Sequence, residues 1–236
     1  MKAVAIVSGG MDSVTLAHLV RESKSLQRLH LLSFNYGQRH VRELECAQSC
    51  AERLGADWSE VDLRSVGELI STAHSSLVNP EVEVPEGHYA EETMVNTIVP
   101  NRNAIMLNIA VGVAIADDAE LVYTGVHAGD HAVYPDCRPE FIQEMNRLVQ
   151  IATETHVKVE APFVHLTKAE IAGVGDTLKV PWAETWSCYK GGGIHCGRCS
   201  TCVERQEAFH LAGVFDPTSY IDPDFWKEAV AAHAEG

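Results

Sequence analysis

Over residues 1–63 the apolar positions alternate between two periods. Ala3 to Val7 is an unbroken apolar run of strand length, and Val14, Ala17 and Val20 follow it at helical spacing. Leu29 to Phe34 is a second such run. Behind it Val41, Leu44, Ala47, Ala51 and Leu54 form a helical stripe, with Gly55 placed to stop the helix. Ala56 to Leu63 is a third strand candidate. The order strand, helix, strand, helix, strand predicts an α/β fold built on a parallel sheet.

The pattern dissolves between Ser71 and Thr97, where Asn79, Pro80, Pro85, Gly87 and repeated glutamates predict a long irregular excursion, read here as a cover over a site. A helix from about Ala104 to Ala116 is apolar nearly all round, which predicts burial. A strand is expected over Leu121 to Thr124, then a helix carrying Phe141, Met145, Leu148 and Ala152, then a last strand over Val157 to Val164. Thr167 and Glu170 have the capping-box spacing that opens another helix.

The first turn is the chemically informative one. Ser8-Gly9-Gly10-Met11-Asp12-Ser13 lies between a strand and a helix, where glycines admit a ligand close to the backbone and the helix start offers unpaired N–H groups. That combination suits phosphate. The lysine-bearing P-loop and G-x-G-x-x-G are both absent. S-G-G-x-D-S resembles instead the pyrophosphate loop of the N-type ATP pyrophosphatases, which cleave ATP between its α and β phosphates and activate an oxygen as its adenylate.

With 236 residues the chain can bury a substantial core, and its formal charge of −15 disfavours broad attachment to nucleic acid or anionic membrane. No apolar run approaches the ~18 residues of a membrane span, and no signal-peptide pattern opens the sequence, so a cytoplasmic protein is expected. Of seven cysteines, Cys188, Cys196, Cys199 and Cys202 are spaced C-x7-C-x2-C-x2-C among glycines, which suits a closed structural zinc site. An iron–sulfur cluster is the rival; the x3-spaced fourth cysteine and following proline of a ferredoxin run are missing. His195 could replace one thiolate. Cys46 and Cys50 read as small buried apolar residues, whereas Cys137 lies in a polar loop before a helix and is a candidate nucleophile. His40 and His127 sit beside motif loops.

Taken together, S-G-G-M-D-S at Ser8 to Ser13, F-N-Y-G-Q-R-H at Phe34 to His40, V-P-N-R-N at Val99 to Asn103, Y-P-D-C-R-P-E-F at Tyr134 to Phe141, T-K-A-E at Thr167 to Glu170 and the C-terminal cysteines resemble the 7-cyano-7-deazaguanine synthase family over nearly the whole chain. The resemblance implies a Rossmann-like parallel sheet flanked by helices, of the adenine nucleotide α-hydrolase type. An ATP pyrophosphatase domain would span 1–180 and a small zinc-binding region 181–236. It also implies a homodimer that turns 7-carboxy-7-deazaguanine, ammonia and ATP with Mg²⁺ into a nitrile, with no direct nucleic-acid or membrane partner.

Carried over, Ser8, Gly9, Gly10, Asp12, Ser13, Phe34 and Tyr36 would hold ATP. Gln38, Arg39, Arg102, Asp130, Asp136 and Arg138 would hold the deazaguanine acid. Asp12, Ser13, Lys168 and Arg138 would serve catalysis, and the four cysteines the zinc. One departure stands at His131-Ala132-Val133, where the family has an aromatic residue, a hydroxyl and a glycine; the preceding aspartate is kept as Asp130. Two other classes fit parts of the pattern: a different pyrophosphatase-type enzyme such as a tRNA thiolase or lysidine-type ligase, and a non-enzymatic nucleotide-binding module.

Overall fold

The computed structural model describes residues 1–70, 75–79, 81–90 and 94–234. Its centre is a five-stranded sheet in the order β3-β2-β1-β4-β5, with every pairing parallel. The strands are β1 (Lys2–Ile6), β2 (Arg28–Asn35), β3 (Asp57–Asp62), β4 (Leu121–Tyr123) and β5 (Lys158–Glu160).

Successive residues on the central strands enter opposite cores, because side chains alternate across a sheet. Ala3, Ala5, Leu29 and Leu31 pack with α1 (Met11–Arg21), α2 (Arg42–Leu54), α6 (Lys168–Thr177) and α7 (Ser200–Ala212). Val4, Leu32 and Phe34 pack with α4 (Arg102–Ala116) and α5 (Pro139–Thr153). Apolar runs, rather than alternation, were the sequence signature of this two-sided burial. Trp182 and Phe209, from the C-terminal part, share the core of Ala3 and Ala5.

Two terminators act as the sequence predicts. Gly55 closes α2 in the left-handed conformation at φ 58°, and Thr167 and Glu170 form a reciprocal capping box on α6. β5 is shorter than the expected Val157 to Val164, since Pro162 cannot donate to a ladder and a turn begins there. Three helices were not anticipated: α3 (Arg64–Ile70), α7 and α8 (Phe225–Ala234).

The expectation that the helix after Asn103 is buried all round is corrected. Met106, Leu107, Ala110, Val111 and Ala114 meet the sheet, but a helix lying on a sheet has an outer side, and Asn108, Gly112, Ile115 and Ala116 are exposed there. By length and composition alone Val95–Ala116 is apolar enough to cross a membrane, but Pro100, Arg102, Asn103 and Asn108 interrupt its apolar run and its inner residues are committed to the sheet. Within the excursion, 71–74, 80 and 91–93 lie outside the described residues. The remainder is stitched to the cysteine segment through the bridge Glu86↔Cys199 and the ion pairs of Glu86 with Lys190 and Arg198.

The chain runs from β1 through β2 to β3 on one side and then crosses to β4 on the other. The strand order therefore reverses between β1 and β4, and a crevice opens at their carboxyl ends.

Candidate active site

The cavity at this switch point begins with the turn after β1. Gly9 has φ +98°, and a Cβ there would stand 1.9 Å from the carbonyl oxygen of Glu43 on α2. Glycine thus lets the turn lie directly on the first residues of that helix. Ser13 Oγ accepts from the N–H groups of Ser8 and Gly9, each at 3.2 Å, and donates to the carbonyl of Gly10 at 3.1 Å, which fixes the turn. α1 starts without a side-chain cap. Its first N–H groups are thereby left for an anion, and the cradle that a Cβ would fill fits ATP phosphates.

Beside this turn lies a charged network. Lys168 Nζ, from the first turn of α6, stands 3.2 Å from Asp12 Oδ2 and 2.7 Å from Glu204 Oε2 on α7. Burial works against the Lys168 charge, but Asp12, Glu204 and Asp130 outweigh it and raise its pKa. Burial raises that of Glu204. His127 Nδ1 accepts from Gly129 N at 3.2 Å, while its Nε2 lies 3.8 Å from Asp12 and 3.5 Å from Asp130. Asp130 in turn accepts from Tyr89 OH at 2.9 Å. Asp12 Oδ1 is buried without a partner.

Another part of the wall is aromatic. Phe34, Tyr36, Tyr89, Tyr134, Tyr189 and Trp186 line the cavity together with Arg102, whose Nη1 donates to Tyr36 OH at 3.1 Å. Among the described residues no carboxylate pairs with Arg102. His40 and Glu43 complete this side, with His40 Nε2 3.5 Å from Glu43 Oε2. Burial lowers His40 to about 3, with Arg102 adding to the effect, and raises Glu43 to about 8.

Of the residues expected in the site, Ser8, Gly10, Asp12, Ser13, Phe34, Tyr36, Arg102, Asp130 and Lys168 line the cavity, and Gly9 shapes it from behind. Four expected substrate residues do not line it. Gln38 is a staple: it accepts from Tyr36 N and donates to the Phe34 carbonyl and to Glu43. Arg39 spends its guanidinium on the carbonyls of Asn79 and Val82. Asp136 caps α4 by accepting from Asn103 N at 3.0 Å. Arg138, expected to serve catalysis as well, is exposed and donates to the His131 carbonyl at 2.8 Å, outside the cavity lining. Motif membership marked these four, but their chemistry is spent on holding the loops.

Cys137 does line the cavity, yet burial raises its thiol and outweighs the hydrogen bond it accepts from Asn103 Nδ2 at 3.2 Å, which argues against a thiolate nucleophile. Burial likewise raises the Cys46 and Cys50 thiols, in keeping with an apolar role. The departure at His131, Ala132 and Val133 leaves the cavity lining untouched; Val133 belongs to the core of α4 and α5. Sequence reasoning missed Glu43, Glu204 and Tyr89, and it placed His40 and His127 beside motif loops without giving them a role. A glutamate on the apolar side of α2, one turn after Y-G-Q-R-H, was the available signal for Glu43.

The sulfurs of Cys188, Cys196, Cys199 and Cys202 all lie within 4.8 Å of one another, and the pairs Cys196–Cys202 and Cys188–Cys199 are 4.0 Å apart. A tetrahedral zinc with bonds of about 2.3 Å would set its sulfurs roughly 3.8 Å apart, so this donor set fits one metal ion. Cys188 and Cys196 accept from backbone N–H groups, as thiolates do. His195 is engaged elsewhere, accepting from Ser187 N at 3.0 Å and packing at a tilt against the Trp186 ring. Trp186, Ser187, Tyr189 and Thr201, which flank the cysteines, form part of the cavity wall.

Comparison with known proteins agrees with this geometry. The family model described as queuosine biosynthesis protein QueC matches residues 2–213. The 7-cyano-7-deazaguanine synthase of Rhizobium meliloti (strain 1021) is 55% identical over 234 residues, covering 98% of this chain and 97% of that one. The protein of the same name from Paracoccus denitrificans (strain Pd 1222) is 52% identical over 233 residues, covering 98% of each. Among solved structures, the U34-tRNA thiolase NcsA from Methanococcus maripaludis, with its [4Fe-4S] cluster, superposes with a TM-score of 0.51 at 14% identity, covering 100% of this chain and 72% of that one, a likeness of fold alone. With a match of this extent and the phosphate turn, tyrosine-lined cavity and cysteine cluster in place, the chain belongs to the queuosine biosynthesis protein QueC family.

Proposed function

We propose that the protein converts 7-carboxy-7-deazaguanine and ammonia into 7-cyano-7-deazaguanine at the expense of ATP, as a carbon–nitrogen ligase of queuosine biosynthesis. One observation carries the reading. A single cavity holds both a bare helix start beside Lys168 and a guanidinium, Arg102, with no carboxylate partner among the described residues. The first suits a triphosphate and the second a substrate carboxylate.

A carboxylate does not accept ammonia directly, because oxide is too poor a leaving group. Attack of the carboxylate oxygen on the α phosphate releases pyrophosphate and makes an acyl adenylate, from which ammonia displaces AMP to give the amide. A second adenylation, on the amide oxygen, lets that oxygen leave as AMP and gives the nitrile. The turn at Ser8 to Ser13 and Lys168 neutralise and orient the departing pyrophosphate. Asp12, with its unpartnered Oδ1, would hold Mg²⁺, which supplies further charge neutralisation when bound.

The four cysteines hold a structural zinc on this reading, supported by their spacing in space and by the wall they anchor. Residues 1–180 carry the ATP chemistry and 181–236 the metal. The enzyme acts on small molecules in the cytoplasm, as a homodimer; exposed Ile115, Leu148 and Ile151 on the outer sides of α4 and α5 support self-association.

Mass spectrometry of the products from 7-carboxy-7-deazaguanine, ATP, Mg²⁺ and ammonium tests the proposal, with nitrile, AMP and pyrophosphate expected. Synthetic 7-amido-7-deazaguanine should also yield nitrile with ATP and no ammonia. Inert amide, or ADP as the nucleotide product, refutes double adenylation.

A further inference from the structure

The steps above leave a proton unassigned. Ammonia that has added to an acyl carbon is cationic, and it must lose a proton before the amide forms. Few groups in the cavity can take it. Lys168 is a cation locked between two carboxylates, and Asp12 faces that lysine. His127 accepts at Nδ1 from Gly129 and turns Nε2 towards Asp12 and Asp130, so its Nε2 carries the hydrogen and no ring lone pair is free.

His40 differs. Its ring is 4% exposed and lines the cavity, its Nε2 faces Glu43 at 3.5 Å, and its Nδ1 has no hydrogen-bond partner. Glu43 sits against the phosphate turn, since Gly9 lies on its backbone. Its other oxygen accepts from Gln38 Nε2 at 3.1 Å. The 3.5 Å separation is long for a hydrogen bond, as separations in sites without substrate commonly are.

We propose, on the reading that the chain is this ligase, that His40 and Glu43 form the proton relay for the ammonia step. The relay starts from the fraction of enzyme in which Glu43 is ionised, a form supported by the Gln38 hydrogen bond and the Arg102 charge, with His40 carrying its hydrogen on Nε2. The nitrogen lone pair of ammonia forms the C–N bond, and the C–O bond to the adenylate breaks with its electron pair leaving on AMP. One nitrogen-bound proton passes to His40 Nδ1 while the Nε2 proton passes to Glu43. The products are amide, AMP, a neutral imidazole of the other tautomer and a protonated Glu43; the pair resets when Glu43 returns its proton to His40 Nε2 and Nδ1 releases its own to water.

The surroundings set both ends of the relay. The Gln38 hydrogen bond and the Arg102 charge favour the starting carboxylate of Glu43, which Tyr36 and Cys46 also face; the Arg102 charge acts on His40 too, and Tyr189 packs against its ring. Burial disfavours imidazolium at His40 and carboxylate at Glu43 alike, so a relay ending with both groups neutral runs with the environment.

The test uses the whole enzyme and two nucleophiles. Hydroxylamine is a weaker base than ammonia, so its adduct sheds its proton to water readily and needs no relay. Glu43→Gln keeps an oxygen for Gln38, and His40→Asn removes the ring. In each, amide formation from ammonia should fall about a hundredfold or more, the usual worth of a positioned base. Pyrophosphate release from acid and ATP in a single turnover, and hydroxamate formation from hydroxylamine, should stay within about tenfold of wild type. Equal losses with both nucleophiles, or loss of the adenylation step itself, would assign the pair to scaffolding and overturn the relay. An unchanged ammonia rate would overturn it also. Wild-type enzyme that releases no pyrophosphate with the acid would instead overturn the proposed function, and the relay with it.

Discussion

The ammonium of Lys168 lies 3.2 Å from the carboxylate of Asp12, tying the first turn of α6 to the first turn of α1 across the phosphate site. A cation at a helix start opposes the helix dipole, a cost a surface lysine would avoid. Here Asp12 and Glu204 offset it from two sides. Lys168→Ala should lower pyrophosphate release about a hundredfold to a thousandfold, as loss of one preorganised charge-stabilising donor does. Glu204→Gln should cost less, since it frees the lysine without removing it. Single-turnover pyrophosphate assays rank the two variants; the reverse order would make Glu204 the group that matters.

Gly9 supports a sharper expectation. Any side chain there meets the Glu43 carbonyl at 1.9 Å and adopts φ +98°, so Gly9→Ala must push the turn away from α2. Nucleotide binding should be lost, with a lower melting temperature. Gly112 is the control, because its added Cβ would meet nothing within 4 Å on the outer side of α4. Gly112→Ala should stabilise the protein by about 0.5–1 kcal/mol and leave activity alone.

Arg205 predicts acid sensitivity. Its fully buried guanidinium grips Asp216 through Nε at 3.2 Å and Nη2 at 3.1 Å, and it donates further to Thr185, Ser187 and the Trp182 carbonyl. Burial pushes the Asp216 carboxyl up, but the Arg205 charge and bonds from Arg205, Tyr220 and Thr218 prevail and hold it below its ordinary value. A carboxyl depressed in the folded state contributes stability above its unfolded pKa of about 3.9 and loses it as pH falls through the folded value. Asp216→Ala should therefore cost about 3–5 kcal/mol at neutral pH, by stranding a buried charge. The deficit should shrink below about pH 4, where wild type loses the same contribution. Denaturant melts at pH 7 and pH 3.5 decide it.

Most of the fold was legible because both faces of the sheet are covered, which turns its central strands into plain apolar runs. Ala3 to Val7 and Leu29 to Phe34 could hardly be read otherwise. α7 stayed hidden because its inner side is not simply apolar: Ser200, Thr201, Arg205 and Gln206 are buried there beside Val203 and Phe209. The site divided along a similar line. Residues whose role follows from backbone conformation, such as Gly9, or from type and spacing, such as the four cysteines, could be named from sequence. Gln38, Arg39, Asp136 and Arg138 could not be separated from Arg102, since what distinguishes them is which long-range carbonyl or N–H each one meets.

The cysteine cluster links metal content to the cavity. Purified protein should carry one zinc per chain, and chelation or Cys202→Ser should lower the melting temperature, because metal binding in so closely gathered a donor set is folding energy. Trp186, Ser187, Tyr189 and Thr201 flank the metal ligands and line the site, so metal loss should also abolish nucleotide binding before the sheet unfolds. Iron with a visible charge-transfer band would refute the zinc assignment. Unchanged nucleotide affinity in the stripped protein would refute the link to the cavity.

Arg102 separates the two halves of the proposed reaction. The acid is an anion and the amide is neutral, yet both must present an oxygen to the same α phosphate. A guanidinium without a carboxylate partner among the described residues, bonded only to Tyr36 OH, can pair with the acid in a poorly solvated cavity. Removing one member of such a pair costs about 2–5 kcal/mol, or roughly thirtyfold to several thousandfold. The amide has no charge to lose, and the aromatic wall offers it a binding surface. Arg102→Met, which keeps length without charge, should therefore lower kcat/KM for 7-carboxy-7-deazaguanine by at least about thirtyfold and that for 7-amido-7-deazaguanine by less than about fivefold. Comparable losses on both substrates would mean that Arg102 serves a partner common to both, the phosphates of ATP, and the carboxylate would then need another recognising group.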